Sequence, residues 1–134
     1  MYEIKRGERI RETLRIKGND GTSADFTTDI AVDDMFREYA EIMGAIKSGE
    51  SVFAQAQAAG DAEAIKKVYD HIGGMVEALL RLVFGEEGGA KLLLLYDGKF
   101  LELLGDVFPF VEDVVGPKLV ARMDAQAAKY TRER

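Results

Sequence analysis

A chain of 134 residues with 47% apolar side chains is long enough to bury a core of its own and too apolar to stay disordered. It contains no cysteine, which excludes disulfides, thiolate metal sites and a thiol nucleophile. Its net charge of −6 disfavours nucleic acid as a partner, because phosphate neutralisation needs a basic face.

The charge is unevenly spread. Residues 1–17 carry six Lys/Arg against three acids, residues 118–134 carry five against two, and the stretch between them holds seven against nineteen. Basic ends of this kind suit either an acidic partner or simple solvation. The start, MYEIKRGERIRE, lacks the apolar core of a signal peptide. The longest purely apolar run, Leu92 to Tyr96, falls far short of the roughly 20 residues of a membrane helix. A cytoplasmic protein with no membrane partner is expected.

The first thirty residues read as a β-hairpin over about 2–32. Apolar residues occupy even positions at Tyr2, Ile4, Ile10, Leu14 and Ile16, then at Ala24, Phe26, Ile30 and Val32, with Thr28 in the same phase. Charged Arg9, Arg11, Arg15 and Lys17 alternate with them, and Gly18-Asn19-Asp20-Gly21 supplies turn residues that tolerate positive φ. A lone hairpin is marginal in water, so its oily face must lie on helices or on a partner.

Helical spacing takes over at Asp33, a good N-cap, with Asp34 adding a favourable charge in the first turn. Phe36, Tyr39, Ala40, Met43 and Ile46 share one face; Lys47-Ser48-Gly49-Glu50 weakens the helix before an alanine-rich continuation from Val52 to Ala59. Gly60-Asp61 punctuates, with Asp61 expected to cap the next helix. That helix carries the clearest apolar stripe: Ile65, Val68, Tyr69, Ile72, Met75, Val76, Leu79, Leu82 and Val83. Gly73-Gly74 inside it costs about 2 kcal/mol relative to two alanines, which close approach of another helix at Gly73 would offset.

Phe84-Gly85 is expected to stop this helix, and Gly-Glu-Glu-Gly-Gly to form a break that serves as a hinge between two apolar helices. A short apolar helix then runs from Ala90 to Tyr96 and ends at Asp97-Gly98. Another opens at Lys99, is kinked or split by Pro109, and is closed by Gly116-Pro117, with Pro117 placed to start a final helix. The last helix shows Leu119, Val120, Met123, Ala127 and Tyr130 before the charged tail 131–134. The expected fold class is α+β and predominantly helical: an N-terminal β-hairpin followed by four to five α-helices over about 33–130, packed as a single domain over 1–134.

Little in the chain points to catalysis. His71 is the only histidine, so a metal site has no second imidazole or thiolate to call on. None of Ser23, Ser48 and Ser51 lies in a nucleophile-elbow sequence. The carboxylate pairs Asp33-Asp34, Glu86-Glu87 and Glu112-Asp113 are explained by capping and solubility as well as by acid–base work. GEEGGAK departs from a phosphate loop, because Lys91 is followed by Leu92 and two glutamates would repel phosphate. The turn at Gly18–Gly21 lacks the calcium-loop pattern. Neither an enzymatic activity nor a cofactor is expected.

Large apolar side chains carry more information. Phe100, Leu101, Leu103, Leu104, Val107, Phe108, Phe110 and Val111 cover nearly the whole circumference of one helix. Such a helix is deeply buried or shared with a partner. The candidate partner-binding residues are Leu92, Leu95, Tyr96, Phe100, Leu101, Leu104, Phe108 and Phe110.

The order of elements, together with the pattern L-x-x-V-F-G-E-x-x-x-x-K-L-L from Leu80 to Leu93, resembles the small tail assembly chaperones of long-tailed bacteriophages and prophages. The resemblance spans about residues 8–115. It implies a homo-oligomer in the bacterial host cytoplasm that coats apolar segments of the tape measure protein, is displaced as tail-tube subunits polymerise, and does no covalent chemistry. Two alternatives stay open: a phage neck or head-completion adaptor, and a small ligand-binding domain with a pocket near Tyr69 and Phe100.

Overall fold

The computed structural model describes residues 1–4, 9–30 and 32–132. Strands β1 (Thr13–Lys17) and β2 (Ser23–Thr27) pair antiparallel, with Leu14 opposite Phe26 and Arg15 opposite Asp25. The register continues outward to a bridge in which Ile10 and Ile30 exchange both backbone hydrogen bonds. At the turn the Gly18 N–H donates to the Thr22 carbonyl, Gly21 takes φ +84°, and the Asp20 carboxylate accepts from both the Thr22 amide and hydroxyl. The expected alternation therefore holds from Ile10 to Ile30. It does not extend to the start of the chain: Tyr2 and Ile4 are exposed and belong to no strand, while residues 5–8 lie outside the described residues.

Helix α1 (Val32–Ala59) runs straight through Lys47–Glu50, and α2 (Ala62–Leu95) follows after a two-residue joint. Then come α3 (Phe100–Phe110), a π-helical turn (Val111–Val115) and α4 (Gly116–Arg132), which succeed one another without interruption. The expectation of four to five helices is corrected to three continuous helical stretches: α1, α2 with a sharp bend inside it, and α3–π–α4. Val32 belongs to α1 rather than to the hairpin. The capping roles expected of Asp33 and Asp34, and the core-facing role of Tyr130, rest on side chains outside the described part, as does the tail at Glu133-Arg134.

The reasons for the correction are local. Gly49 does not end α1, because the space left by its missing Cβ is taken by Ile72 of α2, so tertiary packing offsets the helix weakness there. Asp61 caps α2 as expected, its carboxylate accepting from the Ala64 amide at 3.2 Å. The glycine-rich stretch is not a loop. Only Gly85 leaves helical geometry, at φ 82° and ψ 169°, a region essentially reserved for glycine, and Glu86–Gly89 are helical again.

That one residue bends α2 back on itself. A Cβ added to Gly89 would fall 2.9 Å from the Arg81 nitrogen and 3.0 Å from the Leu80 carbonyl carbon. In a straight helix those residues would be about 12–14 Å apart along the axis. Gly116-Pro117, expected as a stop, lies inside the third stretch. There the Gly116 N–H donates five residues back to Val111, and this widened turn relieves the crowding that the Pro117 ring brings to the preceding carbonyls. The Tyr39 hydroxyl of α1 also donates to the Val111 carbonyl, at 3.3 Å, in space that Gly116 leaves free.

One cluster of buried residues joins hairpin and helices. Ile10, Phe26 and Ile30 pack with Tyr39 and Ile46 of α1, Val76, Leu80 and Phe84 of α2, and Leu103, Val107 and Leu119 of the third stretch. Phe84, beside the bend, meets Phe26 edge-on at 6.3 Å and stacks on Phe110 at 6.2 Å. Burying each such side chain contributes about 1.5–3 kcal/mol, whereas exposed ion pairs such as Arg15–Asp25 are screened by water and add little. The hairpin is held to the helices mainly by its oily face. Thr28, which shares that face, is fully buried and satisfied: its hydroxyl donates to the Ile10 carbonyl and accepts from the Glu12 amide. Among the described residues, no helix is long and apolar enough to cross a membrane.

Candidate interaction surface

The apolar run before Asp97-Gly98 is sorted by helical rotation. Leu92 and Tyr96, four residues apart, point into the core, whereas Leu94 and Leu95 point outward, 77% and 47% exposed. Tyr96 caps α2 through its backbone; Asp97 (φ 53°) and Gly98 (φ 70°) turn the chain, and α3 begins at Phe100. Leu101, in its first turn, is 45% exposed, while Leu103 and Leu104 are buried. The corner between α2 and α3 thus carries three exposed leucines over a packed floor.

The eight candidate residues divide accordingly. Leu92, Tyr96 and Leu104 are core side chains, so direct contact with a partner would require unpacking them. Phe100, Phe108 and Phe110 are half-buried and packed against the core. Phe100 lies over Gly73, where an added Cβ would come within 2.6 Å of its ring, and its ring centre is 6.0 Å from that of Tyr69. The close approach expected at Gly73 is present, and Tyr69 and Phe100 pack on each other. Leu95 and Leu101 remain on the surface. Leu94 is absent from the eight although it is the most exposed of this group; its position opposite Leu92 and Tyr96 on the helical circle was the signal that would have found it.

Beside this corner lies a cleft of about 410 Å³ between the hairpin turn and the start of α3, bordered by Lys17, Tyr96, Lys99, Glu102 and Asp106. The Tyr96 hydroxyl donates to the Asp106 carboxylate at 2.9 Å. Burial, then the Asp106 hydrogen bond and charge, push the phenol up to about 12, so near neutral pH it is a protonated hydrogen-bond donor rather than a general base. A second groove of about 560 Å³ separates α1 from α4, floored by Met43, Pro117 and Val120 and crossed at its rim by the Lys47–Glu112 ion pair. Burial, with help from Glu112, raises the Tyr39 phenol at its base.

Several of the remaining polar candidates lie at the surface. His71 is exposed; Glu86 pairs with Arg81, and Glu87 with Lys91. Among the described residues, no group of three or more His, Cys, Asp or Glu side chains is placed to hold a metal ion. Three arginines of the first segment face acids of the same chain: Arg9 and Arg11 bond to Asp29 and Arg15 makes two bonds to Asp25, while Lys118 of α4 pairs with Glu12. These partners hold the Asp25 and Asp29 carboxyls below the usual carboxylate range, Arg15 acting on the first and chiefly Arg9 on the second. Comparison with protein-family models, curated proteins and solved structures gave no match.

Proposed function

We propose that this chain is a tail assembly chaperone of a long-tailed phage or prophage, holding apolar segments of the tape measure protein soluble in the bacterial host cytoplasm until tail-tube subunits displace it. The observation that carries the reading is the exposed trio Leu94, Leu95 and Leu101 at the α2–α3 corner. It lies at the end of the segment that bears the resemblance, on a body that is strongly acidic and so remains soluble while showing apolar surface. Burial of apolar area at roughly 25 cal/mol per Å² makes each such contact weak, and a homo-oligomer offering many of them binds a long coil through multivalency while staying displaceable. No covalent step is involved.

The test is co-expression of the full chain with apolar segments of a cognate tape measure protein. Those segments should move to the soluble fraction and co-purify with the chain. The double substitution Leu94→Asp and Leu101→Asp should abolish capture while the variant itself stays folded. Unchanged solubility and no co-purification with the unaltered chain would reject the reading.

A further inference from the structure

Both long edges of the two-stranded sheet are open: among the described residues, no third strand pairs with β1 or β2. In an antiparallel pair, hydrogen-bonded residue pairs alternate with pairs whose N–H and C=O groups point outward. Ile10–Ile30 is a hydrogen-bonded pair, the Thr28 amide donates to the Glu12 carbonyl, and the Gly18 amide donates to the Thr22 carbonyl. With the register of Leu14 opposite Phe26, the intervening pairs Arg11–Asp29, Thr13–Thr27, Arg15–Asp25 and Lys17–Ser23 turn their backbone groups to the outside. The same residues carry the solvent-facing side chains. The free edge of β1 therefore presents Arg11, Arg15 and Lys17, and the free edge of β2 presents Asp25 and Asp29.

We propose that the hairpin is a head-to-tail assembly element in which the outer edge of β2 on one copy pairs antiparallel with the outer edge of β1 on the next. Charge selects this mode over the two symmetric ones. Pairing β1 with β1 would bring the basic row Arg11, Arg15 and Lys17 alongside its own copy, and pairing β2 with β2 would do the same for Asp25 and Asp29; like charges side by side across a ladder are destabilising. The mixed edge repeats, between copies, the opposition that already joins Arg15 to Asp25 within one chain. An interface made of two different surfaces leaves one of each unused at the ends, so copies continue to add until a ring closes or a filament grows. The oily face stays on its own helices throughout, because only backbone edges and the solvent-facing ladder take part. This specifies how the oligomer of the chaperone reading is built, and it needs no tape measure partner, so each can fail alone.

Proline at an outward-facing position removes an edge donor without breaking a backbone bond inside the hairpin; at Thr13 or Thr27 it also removes the 3.0 Å hydrogen bond between their two hydroxyls, the same loss in either variant. Thr13→Pro blocks the β1 edge and Thr27→Pro blocks the β2 edge. In analytical ultracentrifugation of the full chain alone, the unaltered protein should form species larger than a dimer as concentration rises. Each proline variant should be monomeric, and an equimolar mixture of the two should form a one-to-one dimer through their remaining edges. The outward amides of Thr13, Arg15, Asp25 and Thr27 should exchange more slowly in the unaltered oligomer than in its diluted monomer. That last readout decides the matter if either variant fails to fold. A protein monomeric at every concentration, a folded proline variant that still self-associates, folded variants that do not combine, or outward amides unprotected in the oligomer would each overturn the proposal.

Discussion

The chain reverses between apolar helical segments twice, at Gly85 and at Asp97-Gly98, and the two bends have opposite surroundings. At the first, Gly89 is pressed against the backbone of Leu80 and Arg81, and Phe84 sits between Phe26 and Phe110. At the second, Leu94, Leu95 and Leu101 stand in water; the turning glycines themselves are alike, since an added Cβ at Gly85 or at Gly98 would meet nothing within 4 Å. Similar bends built from similar residues thus serve different ends. The first builds core, and the second displays apolar surface; under the proposed function, stability and partner capture are then located at different bends.

Paired substitutions test that division. Leu92→Ala removes a fully buried side chain and should cost about 2–5 kcal/mol in chemical denaturation, while Leu94→Ala, two residues away, should stay within about 0.5 kcal/mol. Equal effects would mean that the corner is packed differently from the structure described. Next in size is Gly89→Ala, expected to cost about 2–3 kcal/mol because the clash is with backbone and no side chain can move aside. Gly98→Ala should cost only about 1 kcal/mol, from its positive φ alone. Thermal melts of the two variants side by side would show whether the first bend really is the tighter.

The smallest effects come from pH, and their signs differ between regions. In the hairpin, Asp25 and Asp29 titrate below the usual carboxylate range, so the unfolded chain takes up protons first as pH falls. Their contribution is present above the ordinary carboxylate value and fades as pH drops through the lowered one. At the second bend, Tyr96 titrates near 12, above its ordinary value of 10. Its contribution is intact below pH 10 and is lost as pH rises toward 12. Denaturation midpoints across pH should show both flanks, and Tyr96→Phe should weaken the alkaline one, to which the raised Tyr39 phenol also contributes, and leave the acid one unchanged.

Several features were legible from residue order because their causes are local. The alternation around Gly18–Gly21 reads as a hairpin, Asp61 reads as a cap, and Asp97-Gly98 reads as a stop; each depends on chemistry within a few residues. The stripe from Ile65 to Val83 was equally clear, since 3.6-residue spacing marks a buried face whatever covers it. The candidate surface was only half legible: composition marked the 92–110 region as unusually apolar, but all its large residues looked alike until helix rotation separated Leu92 from Leu94.

What residue order determined by itself, then, is a hairpin followed by helices with known oily faces, the result of backbone preferences and periodicity. Tertiary structure alone decided where helices fail to end. Gly49 is filled by Ile72, and Gly116-Pro117 is carried through a π-helical turn that Tyr39 reaches from another helix. It also decided that the expected break narrows to Gly85 alone, which folds α2 back on itself, and which leucines remain in water. Those outcomes depend on partners distant in the chain, and a glycine or proline specifies how the backbone is able to bend without specifying what it will meet.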